Sequence, residues 1–539
     1  MIKLKHLLYL CGLVVMPAFA QKADYRIVPL PQSIQLKSDG AYNLSPNVVI
    51  TYASGNGKMQ RNAQFLSEYI QQITGMKLKT IAADKPMAGA INLTLQKGDV
   101  NAENYTLAID KDGVTISSTG EAGVFYGIQT LRKSLPAEQC AKVELPFVTI
   151  KDAPRFEYRG THFDTSRHYF PVDFLKTYID ILALHNVNRF HWHITDDQGW
   201  RLEIKRYPEL TRKGAWRKET VIGTNTGVYD GTPYGGYYTQ TECREIVEYA
   251  AQRYITVVPE IDMPGHMQGA LAAFPELGCT GGPYETWTIW GVSDDVLCAG
   301  NPKTLEFIRN VLEEVMDIFP SALIHVGGDE CPKTRWKECP LCQAKIKELG
   351  LVADKKLGSA ENQLQSYIIR EAEKFVNSKG HQIIGWDEIL EGGIAPNAAI
   401  MSWRGNEGGV EAARLHHDVV MTPIDWCYLN FGQAKDSKTE PVSFNAYLPI
   451  EQVYTFEPVP AELSADEAKH IKGAQANLWT EYIYDGKQAE HMLLPRLAAI
   501  CETQWMSASS KDYADFQNRL KRLLALYTQL NYDFYNPAD

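Results

Sequence analysis

The feature that most constrains the fold is an alternation that begins at Arg155: short apolar, β-branched runs, each followed by a helical pattern. Candidate strands begin near Gly160, Asn188, Ile255, Leu323, Gln382, Ala398, His417 and Lys472. Helical segments over 171–185, 240–253, 301–319, 361–378, 408–415 and 490–504 lie between or after them, with the weakest helices at the sixth and seventh steps. Eight strand-helix steps over this length predict a (β/α)8 TIM barrel. A last amphipathic segment, 514–530, places Phe516, Leu520, Leu523, Leu524 and Tyr527 at helical spacing and reads as a closing helix.

Upstream the pattern differs. Short alternating runs at 47–52, 90–95, 105–109 and 113–117, with helical patterns at 62–74 and 123–134, predict a small α/β domain. The run 148–154 reads as the hand-over. The expected organisation is therefore a leader over 1–20, a small α/β domain over 21–152 and a catalytic barrel over 153–539. A chain of 539 residues suits two domains.

Nearly every candidate strand ends in polar or aromatic residues: Asp164 and Arg167; His191, His193, Asp196 and Asp197; Glu260, Asp262 and His266; His325, Asp329 and Glu330; Trp386 and Asp387; Trp403 and Arg404; Trp479 and Glu481. A single such residue is explained as a helix cap or a buried polar group. Gathered on one rim they mark an active site, because barrels of this kind build theirs at strand C-termini.

The sharpest stretch is Leu323-Ile-His-Val-Gly-Gly-Asp-Glu330. Gly327 and Gly328 lack a Cβ and let a ligand approach the backbone, and on an extended backbone the adjacent carboxylates diverge and take separate roles. Partial desolvation of Glu330 is expected to raise its pKa and suit it to proton donation, while Asp329, given donors, stays ionised.

Composition narrows the ligand. Hydrophobic residues at 45% and charged residues at 22% describe an ordinary globular chain. Residues 1–20 read as an export signal: Lys3, Lys5 and His6, an apolar run over 7–16, then Ala18-Phe19-Ala20. Cys11 raises a lipoprotein alternative, but Leu10 stands where a small residue is wanted. The expected location is periplasmic or secreted. No later segment has the apolar length of a membrane span. Loss of Lys3 and Lys5, with no acidic residue in 1–20, takes the formal charge from −11 to −13, which argues against nucleic acid as a partner. Nine widely spread cysteines remain and do not form a disulfide-scaffold pattern. Cys279 and Cys298 bracket one loop and are candidates to pair. Cys331, Cys339 and Cys342 have metal-like spacing without an evident fourth ligand, so neither metal nor cofactor is assigned.

On five ordered pieces the chain resembles the family 20 glycoside hydrolases, the β-N-acetylhexosaminidases: Asp164-Thr-Ser-Arg-His168, His191-Trp-His-Ile-Thr-Asp-Asp-Gln-Gly-Trp-Arg201, Glu260-Ile-Asp-Met-Pro-Gly-His266, His325-Val-Gly-Gly-Asp-Glu330 and Ala476-Asn-Leu-Trp-Thr-Glu481. The resemblance runs from about 153 to about 483, and the small preceding domain also resembles the one usual in that family. It implies Glu330 as general acid/base and Asp329 as the residue that orients the substrate's acetamido group, with that group as the nucleophile and configuration retained. It further implies substrate contacts from Arg167, Asp196, His266, Trp386, Trp403, Tyr428, Asn430, Trp479 and Glu481. Asp196, Asp262 and His266 are expected to form a hydrogen-bonded set around Glu330 that His193 supports. At Asn430 the family often has aspartate, so an ionic contact to sugar hydroxyls is replaced by a neutral one.

Two other readings compete. His191 and His193 with nearby carboxylates are the raw material of a metal-dependent barrel hydrolase. A non-catalytic glycan-binding protein would use the same pocket. Within the family, a longer pocket would release a disaccharide, as in lacto-N-biosidases. The loops over 216–238 and 278–297, rich in glycine and aromatics, are expected to shape the leaving-group side.

Overall fold

The computed structural model describes residues 21–98, 103–435 and 440–537. The expected export signal, Cys11 included, lies outside the described residues.

Eight parallel strands close a barrel in chain order: β1 (Tyr158–Asp164), β2 (Arg189–His193), β3 (Thr256–Glu260), β4 (Leu323–His325), β5 (Gln382–Trp386), β6 (Ala399–Ser402), β7 (Val419–Met421) and β8 (Ile471–Ala476), with β8 pairing β1. Each begins within two residues of its expected start. The alternation on β2 shows why: Phe190 and Trp192 face the surrounding apolar shell, and His191 and His193 turn inward. Helices Val172–Leu184, Gln240–Ala251, Pro302–Ile318 and Ala360–Ser378 follow the first, second, third and fourth strands. Their starts carry the expected chemistry, with a capping box at Thr239 and side-chain caps at Asn301 and Ser359.

Two expectations are corrected. The single helix expected over 490–504 is two, Gly486–Leu493 and Arg496–Trp505, because Pro495 cannot continue the first. Between β7 and β8 only Ile424–Cys427 and Ile450–Thr455 are α-helical among the described residues, with a 3-10 turn at Glu467–His470, so a long excursion occupies the seventh helix position.

The preceding domain is an eight-stranded mixed sheet. The hand-over run begins inside this sheet: Val143–Asp152 is an interior strand, antiparallel to both Ser33–Leu44 and Tyr105–Asp110, and the chain passes from its end to β1. Helices Gly57–Thr74 and Glu121–Ser134 lie between this sheet and the barrel. Arg159 at the start of β1 reaches across to Glu103 Oε1 at 2.8 Å and the Tyr126 hydroxyl at 2.9 Å. Trp505 Nε1 donates to Asp152 Oδ2 at 2.9 Å. The closing helix, Tyr513–Leu530, packs on Gly57–Thr74 and completes the joint. Among the described residues no helix is long and apolar enough to cross a membrane.

None of the nine cysteines among the described residues is in a disulfide. The expected Cys279–Cys298 pair is not formed; both sulfurs approach Cys342 instead.

Candidate active site

The register of the barrel assembles the site. Asp164 stands beside His193, His193 beside Glu260, and Glu260 beside His325, so four polar residues from β1 to β4 lie abreast at the C-terminal rim. Glu260 is their hub. Its carboxylate accepts from Trp386 Nε1 at 2.8 Å, and lies 2.5 Å from His193 Nδ1 and 2.9 Å from His191 Nε2. Against the cost of burial, the neighbouring histidines hold Glu260 well below the usual carboxylate range. His191 therefore shares the hub with His193.

Beyond this layer β4 stops abruptly. Gly327 and Gly328 have φ of +63° and +95°, in the left-handed region, so the backbone does not stay extended as expected. A Cβ on Gly327 would lie 1.7 Å from Asp262 Oδ1, which makes glycine a requirement there. Glu330 itself has φ of +42°, an unusual state for a residue with a side chain. The sharp bend brings Asp329 and Glu330 onto one wall of a pocket rather than onto diverging faces.

That pocket, of about 300 Å³, opens at the strand C-termini. Trp386, Trp403, Tyr428 and Trp479 wall it; Arg167, Asn430 and Glu481 stand across from the two carboxyls. A larger hollow of about 480 Å³ lies at the other end of the barrel, lined by Glu157, Arg189, Thr256 and Lys472, where barrels do not place their chemistry.

The aromatic walls are fixed from behind. Trp386 is tied to Glu260, and Trp403 Nε1 donates to Glu388 Oε2 at 2.9 Å. Trp403 and Tyr428 stack with centroids 6.1 Å apart, and the Arg167 guanidinium lies 4.9 Å over the Trp479 ring. Tyr428 is buried, which pushes its hydroxyl pKa well up and keeps it a neutral donor. Arg167 is held by Asp196 at 2.9 Å and Asp164 at 3.3 Å.

Asp196 and His266, grouped by sequence with the substrate contacts, sit beneath the pocket wall. Asp196 links His193, Arg167 and His266, and His266 Nδ1 lies 3.1 Å from Asp196 and 3.2 Å from Asp197. Burial opposes charge on His266, but these carboxylates raise its pKa well above the ordinary value, so it is an imidazolium. Its Nε2 faces Asp329 Oδ2 at 3.6 Å and Glu330 Oε2 at 3.4 Å.

The electrostatics reverse the expected pKa order. Glu330 keeps 41% of its side chain exposed, and the His266 ring 3.4 Å away outweighs its partial burial and lowers its pKa. Asp329 is only 12% exposed, and burial first, then Glu260 and Glu330, push it up to about 6. Asp262 is pushed well above the carboxylate range by burial and by Asp329 beside it. Two neighbouring buried carboxyls do not both ionise readily, and of the two Asp262 is pushed further toward the neutral form.

Among the pocket-lining residues three buried oxygens lack a protein hydrogen-bond partner: Asp329 Oδ1, Asn430 Oδ1 and Glu481 Oε2. Burial, against the pull of Arg167, raises Glu481 to about 7. Unpaired polar atoms in an aromatic-walled cleft fit a ligand that offers hydroxyl and amide hydrogens on an apolar frame.

Sequence reasoning singled out no individual residue for Trp290, Gly291, Val292, Phe431 or Phe444, which complete the lining. The first three fall in the loop over 278–297 expected to shape that side. Phe431 adjoins Asn430, and Phe444 reaches it through the parallel pairing of Phe431–Gly432 with Phe444–Tyr447, a contact without a local signal. Glu388, two residues after Trp386, was also missed.

The glycosyl hydrolase family 20 catalytic domain matches residues 156–508, and domain 2 of the same family matches residues 24–153. The chain belongs to glycosyl hydrolase family 20. It is 42% identical over 529 residues to a Porphyromonas gingivalis beta-hexosaminidase, an alignment covering 95% of this chain and 66% of that protein, so the chain spans slightly under two thirds of that relative's length. A Vibrio harveyi GH20 exo beta-N-acetylglucosaminidase in complex with N-acetylglucosamine superposes with a TM-score of 0.84 at 31% identity, covering 96% of this chain and 80% of that one. A mutant Streptomyces plicatus beta-hexosaminidase in complex with its product GlcNAc superposes with a TM-score of 0.81 at 30% identity, covering 95% and 97%.

Proposed function

We propose that this chain is an exo-acting, retaining β-N-acetylhexosaminidase that removes terminal non-reducing N-acetylglucosamine or N-acetylgalactosamine from glycans. The observation that carries this reading is the placement of Asp329 and Glu330 on one wall of a tryptophan-lined pocket of about 300 Å³ whose unpaired oxygens belong to Asp329, Asn430 and Glu481. The GlcNAc-bound relatives support it. The pocket's size favours one sugar over two. Export by residues 1–20 belongs to the same proposal.

The acetamido oxygen of the substrate attacks the anomeric carbon and forms an oxazolinium ring, while Glu330 gives its proton to the departing glycosidic oxygen. Glu330 then takes a proton from water, which opens the ring with retained configuration. Asp329 holds the acetamido N–H and balances the positive charge that grows on the ring, a contact stronger in the transition state than in the ground state. Tyr428 donates to the acetamido oxygen, and Trp386, Trp403 and Trp479 enclose its methyl group. A sugar seated on Trp479 covers the exposed part of Glu330, displaces water and raises its pKa toward that of a proton donor.

The test is hydrolysis of the nitrophenyl β-glycoside of N-acetylglucosamine alongside its de-N-acetylated counterpart, with the product anomer read by NMR. Cleavage of the first alone, with the β-anomer released, is expected. Equal cleavage of both, or release of the α-anomer, overturns the proposal.

A further inference from the structure

Four cysteines that are distant in sequence converge behind the pocket rim. Cys279 and Cys298 flank a loop whose ends pair at Gly278 and Leu297. Cys339 precedes the helix Pro340–Leu349 and Cys342 lies in its first turn, a few residues beyond Asp329 and Glu330. The Cys298 sulfur lies 3.6 Å from that of Cys339 and 3.7 Å from that of Cys342, and Cys279 lies 3.8 Å from Cys342. All four sulfurs lie within 4.8 Å of one another.

These separations have a specific geometric meaning. Four sulfurs at about 2.3 Å from a central zinc ion in a tetrahedron stand roughly 3.8 Å apart, whereas a disulfide brings two of them to about 2.05 Å. The surroundings are also those of a closed site. Cys298, Cys339 and Cys342 are buried and Cys279 is half-buried. A Cβ at Gly300 would lie 2.1 Å from the Leu341 backbone, so the close approach of the two cysteine-bearing segments depends on glycine there.

We propose that Cys279, Cys298, Cys339 and Cys342 form a tetrathiolate zinc site that fastens the pocket-rim loop to the segment after the catalytic carboxyls. An all-sulfur set selects a soft metal over calcium or magnesium, and four protein ligands leave no open position for chemistry, so the ion is structural. What it fastens is the loop that carries Trp290 and Val292 into the pocket. Two contacts run alongside: Arg335 Nε to Asp295 Oδ1 at 2.7 Å, and Trp336 Nε1 donating to Leu297 O at 2.9 Å. Cys331, which sequence spacing grouped with Cys339 and Cys342, stands outside the cluster.

The test uses the full chain purified without chelator or added metal, with metal content by mass spectrometry, thiols counted after denaturation, and intact mass. One zinc per chain and a full complement of thiols are expected. Zinc should be lost in Cys339→Ser and Cys298→Ser and kept in Cys140→Ser, whose cysteine lies in the small domain. A zinc-free chain lighter by four hydrogens would mean two disulfides; a zinc-free chain with every thiol reactive would mean a bare cluster; bound iron with visible absorption would mean another metal. Each of these outcomes overturns the proposal, and all are read on the unaltered protein even if a variant fails to fold.

Discussion

Glu330 Oε2 lies 3.4 Å from Nε2 of His266, and the imidazolium, not burial, decides the direction in which the pKa of this proposed acid/base carboxyl is shifted. The same cation lowers Asp329, which burial nevertheless holds at about 6. In the proposed mechanism Asp329 must be ionised to balance an oxazolinium, so kcat/KM should fall as pH drops through about 6, where Asp329 takes up a proton. Replacing His266 by Gln removes a positive charge that depresses both carboxyls, and the acid limb should move to higher pH. A pH profile of kcat/KM on a nitrophenyl substrate reads both; an unmoved limb in the variant refutes this account of the charge.

The two carboxyls should separate kinetically. Glu330→Gln keeps the shape and removes proton transfer, so kcat should fall by about 10²–10⁴ while inhibition by N-acetylglucosamine is retained. Asp329→Asn removes the negative charge facing the acetamido group and should cost about 10²–10³. With a good leaving group, the Glu330 variant should accumulate less of the loss in the first step than the Asp329 variant. Pre-steady-state release of nitrophenol distinguishes them, and equal effects on both steps in both variants would refute the division of roles.

What the sequence made legible divides along the range of the interactions. The barrel was readable because strand starts, caps at Asn301 and Ser359, and end-of-strand carboxyls are local patterns. The hub at Glu260 was not, because it depends on the register that sets His193, Glu260 and His325 abreast. The pKa order of Asp329 and Glu330 came out reversed for a related reason: relative exposure is fixed by the bend at Gly327 and Gly328 and by His266, which arrives from the loop after β3. The cysteine cluster shows the same limit, since two of its members come from a loop about forty to sixty residues upstream of the others.

Asn430 is buried, and its Oδ1 has no protein partner. In the proposed complex it meets sugar hydroxyls as a neutral acceptor. Asn430→Asp converts that contact to a charge-assisted one, stronger by about 1–2 kcal/mol where the hydroxyl is well placed. The ratio of kcat/KM for gluco- to galacto-configured substrates should therefore change by roughly tenfold, with KM carrying most of the change. Asn430→Ala should weaken both substrates and leave kcat closer to the parent value. A ratio that stays fixed across all three proteins would remove Asn430 from the specificity contacts.

Gly327 offers a test of the bend itself. Its φ of +63° costs an alanine about 1–2 kcal/mol, and the added Cβ would fall 1.7 Å from Asp262 Oδ1. Asp262 must then move, losing the N–H of Gly328 that it accepts at 3.2 Å and its place beside Asp329. Gly55 provides the comparison, with φ of +76° and nothing within 4 Å of its would-be Cβ. Gly55→Ala should show the backbone cost alone and unchanged kcat, whereas Gly327→Ala should lose more stability to denaturant and at least about tenfold in kcat. If the two variants behave alike in both measurements, the contact between Gly327 and Asp262 does not hold the catalytic carboxyls in place.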